Sequence, residues 1–162
     1  MKPRAAAVQD HYPSDFAHCY GCGRLNEHGL RLRSSWDGDD VVAAFWPQPH
    51  HIALPGFVYG GLLASLIDCH AMATASATAE RAAGREIGAG PAPRYVTASL
   101  RVDYLKPTPL GPDLELRARV REANERKAIV DVSVAVQGTV TVRGEVVAVR
   151  MPDAMRTSDQ SG

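Results

Sequence analysis

The sequence carries no excess charge of either sign: 18 lysines and arginines face 18 aspartates and glutamates. A chain without a net field has no general means of gathering a polyanion, so nucleic acid is not an expected partner. No apolar run approaches the roughly 20 residues of a membrane span, and no membrane partner is expected. Met1 to Asp10 carries charge without a following apolar stretch, so no signal peptide is expected and the expected compartment is the cytoplasm. Cysteine is scarce. Its three residues, an odd number, argue weakly for a reducing interior over a disulfide scaffold. What is present is a single-domain length of 162 residues, 45% of them hydrophobic, enough for a real core.

Residues 1–27 scatter Pro, Gly, His and Cys without a period and read as an arm over a core. Alternation begins at Leu30-Arg31-Leu32-Arg33, read as a half-buried strand; Asp37-Gly38 supplies hairpin-turn chemistry before a second strand near 41–46. Residues 47–58 read as a loop. From about Gly60 to about Ala83 the residues are apolar nearly all round, with small side chains dense between Ala71 and Ala79, which predicts one buried helix. Glycines and prolines between 84 and 93 mark a long loop.

Four strands are predicted beyond it. Leu100, Val102 and Tyr104 alternate with Ser99, Arg101 and Asp103. Leu114, Leu116, Ala118 and Val120 alternate with Glu115, Arg117, Arg119 and Arg121. Val130 to Val136 and Val140 to Ala148 follow, separated by turns at 123–126 and at Gln137-Gly138. Short turns imply antiparallel pairing, and a single helix implies an α+β fold: an antiparallel sheet of about five to six strands wrapped around one long central helix. The expected organisation is an arm (1–27), one domain (28–152) and a disordered tail (153–162).

Chemistry concentrates at Gly56-Phe57-Val58-Tyr59-Gly60-Gly61-Leu62-Leu63-Ala64-Ser65-Leu66-Ile67-Asp68. A glycine pair opens the helix, where unpaired N–H groups and the positive dipole end attract a partly negative oxygen. Asp68 lies further along among Leu, Ile, Ala and Met, where a carboxylate is costly unless hydrogen-bonded or used. The pair suggests a carbonyl polarised at one point and attacked or deprotonated at another. Cys19-x-x-Cys22 is half a zinc site that Cys69 and His28 complete only if folding gathers them, and the expectation is that no metal is bound. His50 and His51 are loop histidines, of which His51 is the better candidate to touch a substrate; His70 is expected to be structural.

The glycine-pair helix with its internal acid, followed by Tyr95-Val96-Thr97-Ala98-Ser99-Leu100-Arg101-Val102-Asp103-Tyr104-Leu105-Lys106-Pro107, resembles the hotdog-fold acyl-CoA thioesterases, in particular the phenylacetic-acid-pathway type. His18-Cys19-Tyr20-Gly21-Cys22-Gly23, running on to Gly29-Leu30-Arg31-Leu32, is similar to an N-terminal signature of bacterial members, and the likeness spans about residues 18–150. The resemblance implies a hotdog fold and hydrolysis of an acyl-CoA thioester to free acid and CoA, with no cofactor beyond the CoA carried by the substrate. It implies Asp68 as nucleophile or general base, the Gly60 N–H as the group that polarises the carbonyl, and Thr97 as the hydroxyl that places water. It also places His51, Tyr59 and Gly61 at the substrate. Tyr59 stands where the family usually has histidine, and Ala53 where some members have asparagine. Arg101 and Lys106, with Arg126 and Lys127, are candidates to grip CoA phosphates. Phe57, Leu63 and Ile67 are expected to line an acyl tunnel.

Gly60 and Asp68 are eight residues apart, about 12 Å along one helix, whereas reacting groups must approach to about 3 Å. One chain cannot bring both to the same carbonyl, so a catalytic site requires a homodimer or a dimer of dimers. Two other readings stay open: an acyl-thioester dehydratase or hydratase, and a non-catalytic acyl-CoA-binding protein of the same fold.

Overall fold

The computed structural model describes residues 5–156. Seven elements carry the fold: β1 (Ser35–Asp37), β2 (Asp40–Phe45), α1 (Gly60–Ala82), β3 (Tyr95–Tyr104), β4 (Leu114–Ala123), β5 (Lys127–Val136) and β6 (Thr139–Arg150). The strands form one antiparallel sheet in the order β1-β2-β4-β5-β6-β3, and α1 packs across β3 to β6. This is the hotdog arrangement, an α+β fold with six strands curled about one helix.

The period-two pattern holds best in β4 and β5. Leu114, Leu116 and Ala118, with Val130, Val132 and Val134, are buried under α1, while Arg117, Arg119 and Arg121 stand on the outer face. These arginines ladder with Asp37, Asp40, Asp131 and Glu145 across neighbouring strands. At Gln137-Gly138 both residues have positive φ, the two-residue turn whose twist matches antiparallel strands. Gly144 of β6 is where helix and sheet come closest: a Cβ there would lie 2.5 Å from Ile67 Cγ2. At the other end of α1, Arg85 N–H bonds the Glu80 carbonyl and Gly84 N–H that of Arg81, the paired bonds of a Schellman stop.

Two expectations change, and one strand face proves to be open. Residues 30–33 are not a strand: Arg31 has φ +53, and Leu30 and Leu32 donate to the carbonyls of Tyr20 and Gly21, so the segment pairs with the N-terminal arm. Alternation mistook a buried Leu32 under that arm for a sheet residue. The apolar face of β3 is not covered within the chain, for Leu100 and Tyr104 are 39% and 53% exposed. Ile67 is wholly buried against the sheet and lines no tunnel. The arm itself buries Ala7, Val8, Tyr12 and Ala17, while in the expected tail Asp153–Met155 forms a 3-10 turn and 157–162 lie outside the described residues.

His70 is structural. Its ring is fully buried on α1, with Nε2 donating to the Val41 carbonyl at 3.0 Å and Nδ1 accepting from Ser34 Oγ at 2.8 Å; Gln9 Nε2 then donates to Ser34 Oγ. Only a neutral imidazole closes this chain of bonds, and burial pushes its pKa down to about 4. The unfolded histidine titrates at about 6.5, so between the two values the unfolded chain holds more protons and stability rises with pH. The contribution is complete above about pH 6.5 and is lost as pH falls toward 4, amounting to about 3 kcal/mol over the whole window. Urea unfolding at about pH 7.5 and pH 5 should show this loss, and His70→Gln should flatten it. An unchanged pH slope in the variant refutes the assignment.

Candidate active site

Asp68 projects from α1 toward β3, where a register shift between Thr97 and Ser99 interrupts the ladder with β6. Thr97 Oγ1 donates a short hydrogen bond to Asp68 Oδ1, which leaves Oδ2 as the free oxygen. The carboxyl is half-buried, and burial raises its pKa above the usual carboxylate range; the Thr97 hydroxyl opposes this and negative charge at Cys19 adds to it. Asp68 and Thr97 line one small cavity of about 200 Å³ with Tyr12, Met72 and Arg94. A carboxylate held by one hydroxyl, beside a cavity and with raised basicity, suits proton abstraction or nucleophilic attack.

The N-terminus of α1 opens elsewhere. Tyr59 is extended and gives no side-chain cap, and the N–H groups of Gly60 and Gly61 have no acceptor among the described residues. The Tyr59 ring lies over Gly61 so closely that a Cβ there would sit 2.4 Å from it. Tyr104 reaches back from the end of β3, its Oη donating to the Gly60 carbonyl at 2.7 Å. Gly61, Tyr59 and His51 face a cavity of about 900 Å³; Gly60 faces another of about 440 Å³ with Phe57, Leu63, Tyr104 and Lys106. His51 ends the short helix Pro49–His51, where Nδ1 accepts from the Gln48 N–H at 2.9 Å and leaves the ring proton on Nε2. Burial, then the neighbouring His50, lowers its pKa, so it meets the cavity as a neutral donor.

The structure thus gathers Asp68 with Thr97, and Gly61 with Tyr59 and His51, but keeps these groups apart within one chain. Lys106 joins Gly60. Arg101 does not: it lies on the outer face with Asp103, Arg117, Arg119 and Arg143. Lys127 lines a third surface at the β4–β5 turn. One participant escaped the sequence reading, and one conditional expectation is met in part. The bond from Tyr104 to Gly60 spans 44 residues and leaves no local signal. Cys69 meets Cys19, with the two sulfurs 3.6 Å apart, whereas His28 faces the large cavity instead.

The sequence profile of the thioesterase superfamily matches residues 55–142, which include Gly60, Asp68, Thr97 and Tyr104. A thioesterase superfamily protein from Shewanella loihica PV-4, solved as a crystal structure, is 44% identical over 87% of this chain and 100% of its own, with a TM-score of 0.63. The chain belongs to the thioesterase superfamily. The E. coli PaaI protein of the phenylacetic acid degradation operon shares the fold at 18% identity, over 76% of this chain and 81% of its own, with a TM-score of 0.61. S. sahachiroi AziG does so at 20% identity, over 80% and 98%, with a TM-score of 0.63. No curated protein matches. Membership supports thioester hydrolysis as the general chemistry, and no helix among the described residues is long and apolar enough to cross a membrane.

Proposed function

We propose that the protein hydrolyses an acyl-CoA thioester to free acid and CoA, and that it does so as a homodimer. One observation carries the reading: the unpaired N–H groups at Gly60 and Gly61 and the Asp68 carboxyl share a helix but open into different cavities. A second chain laid antiparallel brings Gly60 of one beside Asp68 of the other and creates two equivalent sites. The open edge of β3 supports that second chain. Leu100, Tyr104 and Leu105 are exposed there, with Leu54 and Tyr59 nearby, and an apolar strand edge is a surface that proteins ordinarily cover.

In this reading the thioester carbonyl accepts from the Gly60 N–H, and the dipole end of α1 offsets the negative charge that develops on its oxygen. Asp68 of the other chain takes a proton from water through Oδ2, or attacks the carbonyl carbon itself. Thr97 orients the carboxylate by occupying Oδ1. Collapse of the tetrahedral intermediate expels CoA as a thiolate, which takes up the proton held by Asp68; on the direct-attack route collapse leaves an acyl–Asp68 anhydride, which water then cleaves to free acid and the restored carboxylate. The acyl group lies against Phe57 and Leu63, and Lys106 is the cation placed to meet CoA phosphates at that end.

Release of free thiol from a panel of aryl, short-chain and long-chain acyl-CoAs tests the reading. At least one ester is expected to turn over at roughly 1 per second or faster. Saturable binding across the panel with no thiol release above the uncatalysed rate would instead establish a non-catalytic acyl-CoA-binding protein.

A further inference from the structure

The three cysteines, separated by up to 50 residues in sequence, meet at one point: their sulfurs all lie within 4.8 Å of one another, with Cys22 and Cys69 buried and Cys19 exposed. We propose that Cys19, Cys22 and Cys69 form a zinc(II) site that pins the N-terminal arm to α1. This does not rest on the proposed hydrolysis.

Spacing is the first support. Two sulfurs on a tetrahedral zinc, each about 2.3 Å from the metal, stand about 3.8 Å apart, and Cys19 and Cys69 are already at 3.6 Å. The turn supplies the second. The close approach of backbone is built in at two glycines. A Cβ on Gly21 would lie 2.3 Å from Cys69 Sγ, and one on Gly23 would lie 2.5 Å from the Ala17 carbonyl oxygen. Only glycine lets this turn coil so tightly and press on the helix.

Charge is a further support. Three thiolates around a divalent ion leave one net negative charge. Arg94, stacked on the Tyr12 ring, lines the same cavity with a buried Nη1 that has no hydrogen-bond partner among the described residues. Its guanidinium is the counter-charge such a centre needs. Three soft sulfur ligands favour zinc over magnesium, calcium or manganese. Among the described residues no other His, Cys, Asp or Glu stands within reach of all three sulfurs; Asp68 lines the same cavity of about 200 Å³ but is not part of the cluster, so water is the fourth ligand.

Full-length protein, kept reduced and stripped with chelator, is titrated with zinc chloride alone, desalted and assayed for metal. One zinc per chain is expected to remain, with a higher thermal midpoint. Cobalt(II) in its place should give thiolate-to-metal charge transfer in the near ultraviolet and the intense visible bands of a tetrahedral ion. Cys22→Ser and Cys69→Ser should abolish retention. If either fails to fold, Cys19→Ser, whose side chain is exposed, is read instead with the same expectation. Gly21→Ala keeps every thiol but crowds Cys69, and should weaken zinc by about 10–100-fold. Reduced wild-type protein that retains no zinc, zinc retained equally by Cys19→Ser, or cobalt spectra without thiolate charge transfer overturns the proposal. Asp68→Asn should still bind zinc, which separates metal binding from hydrolysis although both sets of residues line one cavity.

Discussion

Asp68→Asn is expected to lower kcat by about 10²–10⁴-fold with KM and thermal midpoint little changed. Asparagine keeps the size of the side chain, and its carbonyl oxygen still accepts from Thr97, so the local hydrogen bond survives. What is lost is the carboxylate that faces that cavity, the only one among the described residues lining it, whose pKa burial raises above the usual carboxylate range. Steady-state kinetics on the best thioester, with gel filtration to confirm the same assembly, measure the effect. Retention of more than about a tenth of the parent kcat refutes the role of Asp68.

Gly60→Pro carries the next largest effect, about 10²–10³-fold in kcat, because it removes one N–H from the start of the helix, with the Tyr104 ring giving way slightly to a Cβ 3.3 Å from it. Proline is well tolerated at a first helical position, and Tyr59 before it is extended (φ −62, ψ 129), the conformation a following proline requires. Mixing the two inactive variants then tests the shared site. If chains exchange at random, half of the dimers are mixed and each of these has one intact site, so about a quarter of parental activity should return. Complementation that never appears, although mass measurement shows that mixed dimers formed, refutes a site assembled from two chains.

How far the residues spoke for themselves varied along the chain. The strands β4 and β5 were legible because one face of each is buried and the other solvated, so side-chain chemistry reports the pleat directly. The helix was legible for a different reason: almost every side of α1 is covered, so its apolar run needs no period to be recognised. Residues 30–33 misled because alternation reports burial on one side, not what does the burying. There the cover is an arm bonded to the same backbone, and no sheet is present. In β3 the same pattern marked a face that a single chain leaves open.

The candidate site divides along similar lines. Asp68, Gly60 and Gly61 stood out locally, since a carboxylate inside an apolar helix and two glycines at its start are anomalies within a short stretch. Thr97 was named through family likeness, and the fold then placed its hydroxyl on that carboxylate. The bond from Tyr104 to Gly60, the Arg94 Nη1 left without a partner among the described residues and the meeting of Cys69 with the Cys19–Cys22 turn had no local signature. Each depends on a helix, a strand and an arm converging from distant parts of the chain. Periodicity and composition decide which faces are buried and which residue types are out of place, because those follow from short-range chemistry. Only packing decides which side chains meet, because contact across 29, 44 or 50 residues is set by the path of the backbone in space.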